Sequence, residues 1–435
     1  MKGYRRIKSG VFTCMMIVLT LVIIFFVKLW WDMNSQGHAL PQPANSPLPS
    51  SSQFSTPLPL QSSTPSPSRT TPAISSATEV SELETNASPY NTTAKRILSE
   101  MTLHEKLCQL FIVYPETITG AQNVTATGEM TEQALKEYPV GGFIYDSSNM
   151  VSSDQVRSML SGVQSYSKIP LILTCDEEGG RVSRLMNTVG TTRIGPMLDY
   201  ENEGTQTAYN NAFTIASDLH SLGFNVDLAP VADVWSNPEN TVIGDRAYST
   251  NFQLASELIP HAVAGFQAGG VACTLKHFPG HGDTLADSHE EAVYVTKSLE
   301  EIRQNELLPF KSGIQAGTDC VMIGHIIISD VENVPAPFSA EIVGGLLREE
   351  MGFQGVVMTD GLQMNAIKEY YSSDNIAILA IQAGVDVLLG PDDLKTSVHA
   401  LTDAVNTGTV TEDRIDESVL RILEMKLRRD IIPQG

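Results

Sequence analysis

VACTLKHFPGHGDTLADSH, residues 271–289, starts as an apolar run and ends as a dense polar loop. The first part, Val271–His277, has the length of a buried strand. Lys276, His277, His281, Asp283, Asp287 and His289 follow at and beyond its end, broken by Phe-Pro-Gly and Gly282. A strand that delivers ionisable groups at its C-terminal end is the unit from which parallel α/β enzymes assemble their sites. Whether that unit repeats along the chain decides the fold.

It does repeat. Short apolar runs begin at Leu110 (LFIVYP), Gly141 (GGFIYD), Pro170 (PLILTCD), Phe224 (FNVDLAP), Val271 (VACTLKH), Asp319 (DCVMIGH), Gly355 (GVVMTD) and Val385 (VDVLLG), eight in all. Amphipathic stretches such as SDQVRSMLSGVQSYS, QTAYNNAFTIASDLHSLG and SDNIAILAIQAG lie between them, several ending in the Gly expected after a helix C-terminus. Alternation of this kind predicts parallel strands with crossover helices. Eight units suit a single α/β (β/α)₈ barrel of the TIM type better than a doubly wound sheet, because the first run leads into YPETITG rather than a Gly-rich dinucleotide turn. TCDEEGGR follows the third run, IGDRAY the fourth and KHFPGHGDT the fifth, GH ends the sixth and TDG the seventh. Any one Asp at such a junction can be a helix N-cap, but five polar junctions at one end of the strands mark the site face of a barrel.

The remainder of the chain sets the context. Fifty acidic against 28 basic side chains give a formal charge of −22, which repels phosphate backbones and excludes nucleic acid as a partner class. Cys14, Cys108, Cys175, Cys273 and Cys320 are scattered without metal-binding or redox spacing and read as buried free thiols. Lys2, Arg5, Arg6 and Lys8 precede an apolar run from Val11 to Val27, so residues 1–34 read as cytoplasmic cations and a transmembrane anchor. The alternative is a signal segment cleaved near Gly37-His38-Ala39. Residues 35–90, rich in Pro, Ser and Thr, read as a disordered stalk, leaving 91–435 for the barrel. Either reading of the N-terminus exports the barrel, as a single-pass membrane protein or as a secreted one, and it is expected to act as a monomer.

The polar loop admits three uses. Metal binding would draw on His277, His281, His325 and Asp360, but the first run supplies no ligand pair and Phe-Pro-Gly denies the two histidines a shared helical face. A phosphate cradle lacks the Gly-Lys-Ser/Thr ending. Acid/base chemistry fits better. Asp287 stands two residues before His289, where in extended backbone its carboxylate can accept an imidazole N–H, though an isolated Asp-Ser-His can equally cap a helix. Asp360, delivered at the end of GVVMTD, is placed to act as a nucleophile opposite a proton donor, the arrangement of retaining glycoside hydrolysis. The usual donor there is a second carboxylic acid, and histidine is an unusual substitute.

KHFPGHGDTLADSH, with DEEGGRVSR and NPENTVIGDRAYS upstream and GVVMTDGLQM downstream, resembles the family 3 glycoside hydrolases, and within them the bacterial β-N-acetylglucosaminidases of the cell-wall recycling branch. The resemblance runs from about Thr92 to the C-terminus. It implies a (β/α)₈ barrel, a covalent glycosyl-enzyme on Asp360, and an acid/base His289 paired with Asp287. It also implies contacts to the sugar from Asp176, Arg184, Arg246, Lys276 and His277, residue types that clamp hydroxyls through charge-assisted bonds. Adjacent strand residues point to opposite faces, so Lys276 and His277 can share a substrate only where the strand twists or ends. Arg246 can alternatively pair with Asp245, Arg184 can be a solvated helix residue, and Asp176 can cap its turn. His281 is assigned to bracing the loop and His325 to a hydrogen-bonded place at the barrel mouth. Glucosidase members take their acid/base group from a second domain; with the given sequence ending at RRDIIPQG no room for one is expected, and this disfavours a β-glucosidase.

The expected activity is therefore a retaining exo-β-N-acetylglucosaminidase acting, without metal or other cofactor, on amino-sugar oligosaccharides or peptidoglycan fragments. A β-N-acetylglucosaminide phosphorylase using the same residues is one alternative, because a histidine base carries no negative charge to repel phosphate. A metal-dependent barrel hydrolase and a non-catalytic wall-binding module are the others.

Overall fold

The computed structural model describes residues 90–284, 293–368 and 370–434. The N-terminal cations, the apolar run, most of the stalk, and the Asp287–His289 pair lie outside the described residues. Among the described residues no helix is long and apolar enough to cross a membrane.

Each apolar run forms a strand: β1 Phe111–Val113, β2 Gly142–Ile144, β3 Ile172–Cys175, β4 Val226–Asp227, β5 Ala272–Phe278, β6 Cys320–Ile323, β7 Val356–Thr359 and β8 Leu388–Leu389. All neighbours pair in parallel in the order β7-β6-β5-β4-β3-β2-β1-β8. A Met358–Val387 bridge brings β7 against the approach to β8 and nearly closes the sheet into a barrel. Helices cover the outside while side chains fill the inside, so strand residues are buried throughout, and this is why the sequence shows continuous apolar runs rather than alternation.

The helices follow their sequence signals. The one at Leu103–Gln109 starts in a capping box between Thr102 and Glu105, and Thr205–Leu222 ends at Gly223 with φ of 102°. The SLEEIRQNELLPFKSGIQAG stretch differs from a continuous helix, breaking at Asn305–Glu306 into Leu299–Gln304 and Leu307–Gln315. Cys108, Cys175, Cys273 and Cys320 are buried free thiols, as the absence of paired spacing led us to expect.

Charge is sorted between the two ends of the barrel. Before the N-terminal ends of β6 and β8, Asp319 is paired with Arg428 and Arg429, and Asp386 with Arg348, Arg414 and Arg421. These clusters tie the last helix, Glu412–Arg428, and its flank to the barrel floor, the face associated with stability. The opposite face carries the cleft.

Candidate active site

At the C-terminal ends of the strands lies a cleft of about 350 Å³ onto which Asp176, Glu178, Arg184, Arg246, Lys276, His277 and Asp360 open, with Tyr114, Gln363 and Met364 completing part of the wall. Six of the eight site residues singled out in the sequence are therefore brought together. The other two, Asp287 and His289, fall in the undescribed segment 285–292, which follows directly on the loop leaving β5.

The TCDEEGGR turn after β3 is more organised than a loop. Glu177–Gly179 and Val182–Ser183 form a small antiparallel hairpin whose turn residues Gly179 and Gly180 have φ of 90° and 55°, a region that favours glycine. Three consecutive carboxylates then take three jobs. Asp176 accepts from Lys276 Nζ at 2.6 Å. Glu177 is buried and accepts from the Ser183 hydroxyl and from the backbone N–H groups of Arg184, Leu185 and Met186, which fixes the segment carrying Arg184. Glu178 binds Arg246 in a two-pronged pair, Nε and Nη2 each at 2.8 Å, and also accepts from Lys276 Nζ at 2.7 Å. Burial opposes the charge on Glu178, yet Arg246 and Lys276 outweigh it and hold the carboxyl well below its usual range. For Lys276 the balance is similar: burial pulls its pKa down, but Asp176 and Glu178 overcome it and the net shift is upward. The result is a wall in which Glu178 favours the charged forms of Lys276 and Arg246, and they favour its own.

Arg246 thus pairs with Glu178, while Asp245, the local partner suggested by the sequence, pairs with Arg181 at 2.8 Å. Arg184 does not sit on a helix. It reaches Asp146, at the end of β2, at 3.1 Å and Asp176 at 3.6 Å.

The KHFPGHGDT loop is gathered by one carboxylate. Buried Asp233 accepts from His277 Nδ1 at 2.7 Å, from His277 N at 3.1 Å and from His281 N at 2.7 Å. Since a carboxylate only accepts, Nδ1 is the protonated nitrogen of His277 in this bond, and Nε2 is left for the cleft. Burial raises the pKa of Asp233, but His277 and His281 turn the net shift downward. Lys276 and His277 both line the cleft because the β5–β6 register is irregular between Leu275 and Phe278, which interrupts the strict alternation of faces. The Lys276–His277 and Phe278–Pro279 peptides are both cis. His281 braces the loop, its Nδ1 2.7 Å from Thr284 Oγ1 and its carbonyl accepting from Asn240 Nδ2 at 2.7 Å. Burial, then His277, lowers its pKa.

Asp360 follows β7, its backbone N–H donating to Ile323 O at 3.0 Å and its Oδ1 accepting from Gly361 N at 2.7 Å. His325, buried at the end of β6, lies with Nε2 3.0 Å from Gly361 O and so buttresses the turn that presents Asp360. Among the described residues, no three His, Cys, Asp or Glu side chains gather at metal-binding spacing.

Sequence reading passed over Asp146, Glu177, Glu178 and Asp233. Glu177 and Glu178 stood in a quoted motif, and a pair of acids beside two glycines was the available signal; Asp233, in the unremarkable run VADVW, offered none.

An eight-stranded parallel barrel whose C-terminal face holds Asp360 in one cleft with a group of paired cations defines a class, the (β/α)₈ proteins with a polar cleft at that face. The model of the glycosyl hydrolase family 3 N-terminal domain matches residues 102–425, and the chain belongs to that family. It is 34% identical over 345 residues to β-hexosaminidase A of Pseudoalteromonas piscicida, covering 72% of this chain and 57% of that one. It is 33% identical over 285 residues to a β-hexosaminidase of Stenotrophomonas maltophilia, covering 63% and 84%. Among solved structures it is similar to a family 3 β-N-acetylglucosaminidase from Paenibacillus sp. FPU-7, with a TM-score of 0.72 and 37% identity, over 77% of this chain and 64% of that one. The chain thus spans less than two thirds of the length of the Pseudoalteromonas and Paenibacillus relatives.

Proposed function

We propose that the protein is a retaining exo-β-N-acetylglucosaminidase that removes terminal β-linked N-acetylglucosamine from peptidoglycan fragments. The observation that carries this reading is that Asp360 opens onto the same cleft as Asp176, Arg184, Arg246, Lys276 and His277. The names of the relatives point the same way. In the reaction, a carboxylate oxygen of Asp360 forms a bond to the sugar C1 as the bond from C1 to the leaving oxygen breaks, and His289 gives that oxygen its proton. Water then bonds to C1 and returns a proton to His289 while the C1–Asp360 bond breaks, restoring the carboxylate and the imidazolium. Asp287 supports the imidazolium. Lys276, Arg184 and Asp176 hold the ring hydroxyls so that C1 faces Asp360, and His277 offers Nε2 to the same sugar. The apolar run Val11–Val27 supports a tethered enzyme acting on wall material outside the membrane.

A 5-fluoro N-acetylglucosaminyl donor, incubated with the full chain and followed by peptide mass spectrometry, should leave one sugar on Asp360. Release of N-acetylglucosamine from a p-nitrophenyl glycoside should collapse in Asp360→Ala and persist in chelator. A label on any other residue, or undiminished turnover in Asp360→Ala, would overturn the reading. Accumulation of the sugar 1-phosphate when phosphate is added would show that the intermediate is taken by phosphate rather than water.

A further inference from the structure

The loop after β5 is described as far as Thr284 and the chain again from Val293, so Asp287 and His289 are carried between two anchored limbs. The entry limb is tied to the loop after β4. Asn240 Nδ2 donates to His281 O at 2.7 Å, Asn237 N to Gly282 O at 3.3 Å and Asn237 Nδ2 to Asp283 O at 3.2 Å. The exit limb is tied to the chain after β6, where Val293–Val295 pairs in parallel with Ile326–Ile328. These anchors share no residue.

Lys297 joins them. Its Nζ, two residues beyond the exit strand, lies 3.2 Å from Asp283 Oδ2 on the entry limb and 2.5 Å from Glu306 Oε1. Glu306 is buried at the head of the helix Leu307–Gln315 and packs on the entry limb, so closely that a Cβ on Gly280 would sit 2.8 Å from its own Cβ. The cation thus ties both limbs to one buried carboxylate. None of the three side chains lines the cleft, and the reaction described above uses none of them.

The Lys297 and Asp283 side chains are 26% and 34% exposed, and an ion pair so accessible to water adds little to stability. Geometry is a different matter. A proton donor must come within about 3 Å of the leaving oxygen, and a misplacement of about 1 Å can cost on the order of 100-fold in rate.

We propose that Lys297, bound to Asp283 and Glu306, is a positioning residue for proton transfer by His289, because it sets the separation of the two limbs between which that histidine is carried. This rests on the retaining-glycosidase reading and deepens it. The pair touches no sugar and reaches the reaction only through His289.

The test compares kcat/KM for two N-acetylglucosaminides: the phenyl glycoside, whose leaving oxygen needs a proton, and the 2,4-dinitrophenyl glycoside, which departs as a stable anion. Asp283→Ala frees the entry limb while leaving Lys297 on Glu306. It should lower kcat/KM for the phenyl glycoside about 10- to 100-fold and for the dinitrophenyl glycoside less than about threefold. Asp283→Asn should shift the ratio in the same direction, and Lys297→Arg should preserve it. Equal falls on both substrates would show that the pair serves the fold alone, and an unmoved ratio that the limbs keep their spacing without it; either overturns the proposal. His289→Ala separates the two levels of inference. A split between the substrates in His289→Ala but not in the Asp283 variants overturns the positioning role and leaves the glycosidase reading intact, whereas no split in His289→Ala overturns the acid assignment and this proposal together.

Discussion

Asp233 and His277, 44 positions apart, share two hydrogen bonds: the carboxylate accepts both the backbone N–H and the ring Nδ1–H of the histidine. The same carboxylate also receives the N–H of His281, so one buried charge fixes the tautomer, ring orientation and loop path of the KHFPGH segment. Asp233→Asn keeps the volume but loses the charge. We expect kcat/KM on a p-nitrophenyl β-N-acetylglucosaminide to fall about 10- to 100-fold, with the pH profile displaced. A profile that keeps its shape with unreduced kcat/KM would show that His277 needs no such partner.

Glu178 neutralises Lys276 and Arg246 inside the barrel mouth. Removing it in Glu178→Ala takes the carboxylate from buried Arg246 and leaves Lys276 with Asp176 as its acidic partner, which costs roughly 3–5 kcal/mol. Because its folded pKa is depressed, Glu178 contributes stability that is present above the ordinary carboxylate range and disappears as pH falls toward the folded value. Glu178→Gln should therefore flatten the acid side of the stability–pH curve, measured by urea unfolding between pH 3 and 7. A variant curve parallel to the wild type would contradict this.

Among the described residues no carboxylate pairs with the buried Lys426. Its Nζ donates to Gln109 Oε1 and Gly141 O, both at 3.0 Å, and burial pulls its pKa down from 10.5 to about 7. The unfolded chain keeps this proton over the interval in which the folded chain has lost it. Wild-type stability should accordingly rise as pH increases from about 7 toward 10.5. Lys426→Met should remove this contribution and raise the melting temperature most below pH 7, where the folded lysine is charged. Equal shifts in melting temperature at pH 6 and pH 9.5 would show that the proton is retained.

Gly282 lies so close to the preceding barrel loop that a Cβ there would sit 1.7 Å from Val234 O. The clash is with backbone, which cannot swing aside. Gly282→Ala should destabilise by about 1–3 kcal/mol and disturb the segment between His281 and Thr284, read as a lower melting temperature together with a loss of kcat. A fully stable and active Gly282→Ala would mean that the loop can retreat from Val234 without cost.

All eight strands were legible because a buried parallel strand must be apolar on both faces, and the run from Val271 carries that mark as plainly as the one from Gly355. The side chains that meet in the cleft were legible where they sit at strand ends, as Lys276, His277 and Asp360 do. Their partners were less so. Asp233 is an ordinary loop aspartate until β4 and β5 lie side by side.

The sequence by itself determined the repeating strand–helix unit and the end of each strand at which chemistry accumulates, because burial and helix capping act on residues close together in the chain. Only the tertiary structure decided which carboxylate answers which cation. Lys276 is bound to Asp176 and Glu178, about a hundred positions earlier, and not to the nearer Asp283. Ion pairing depends on distance and burial in space, and barrel closure brings together groups that the linear order keeps far apart.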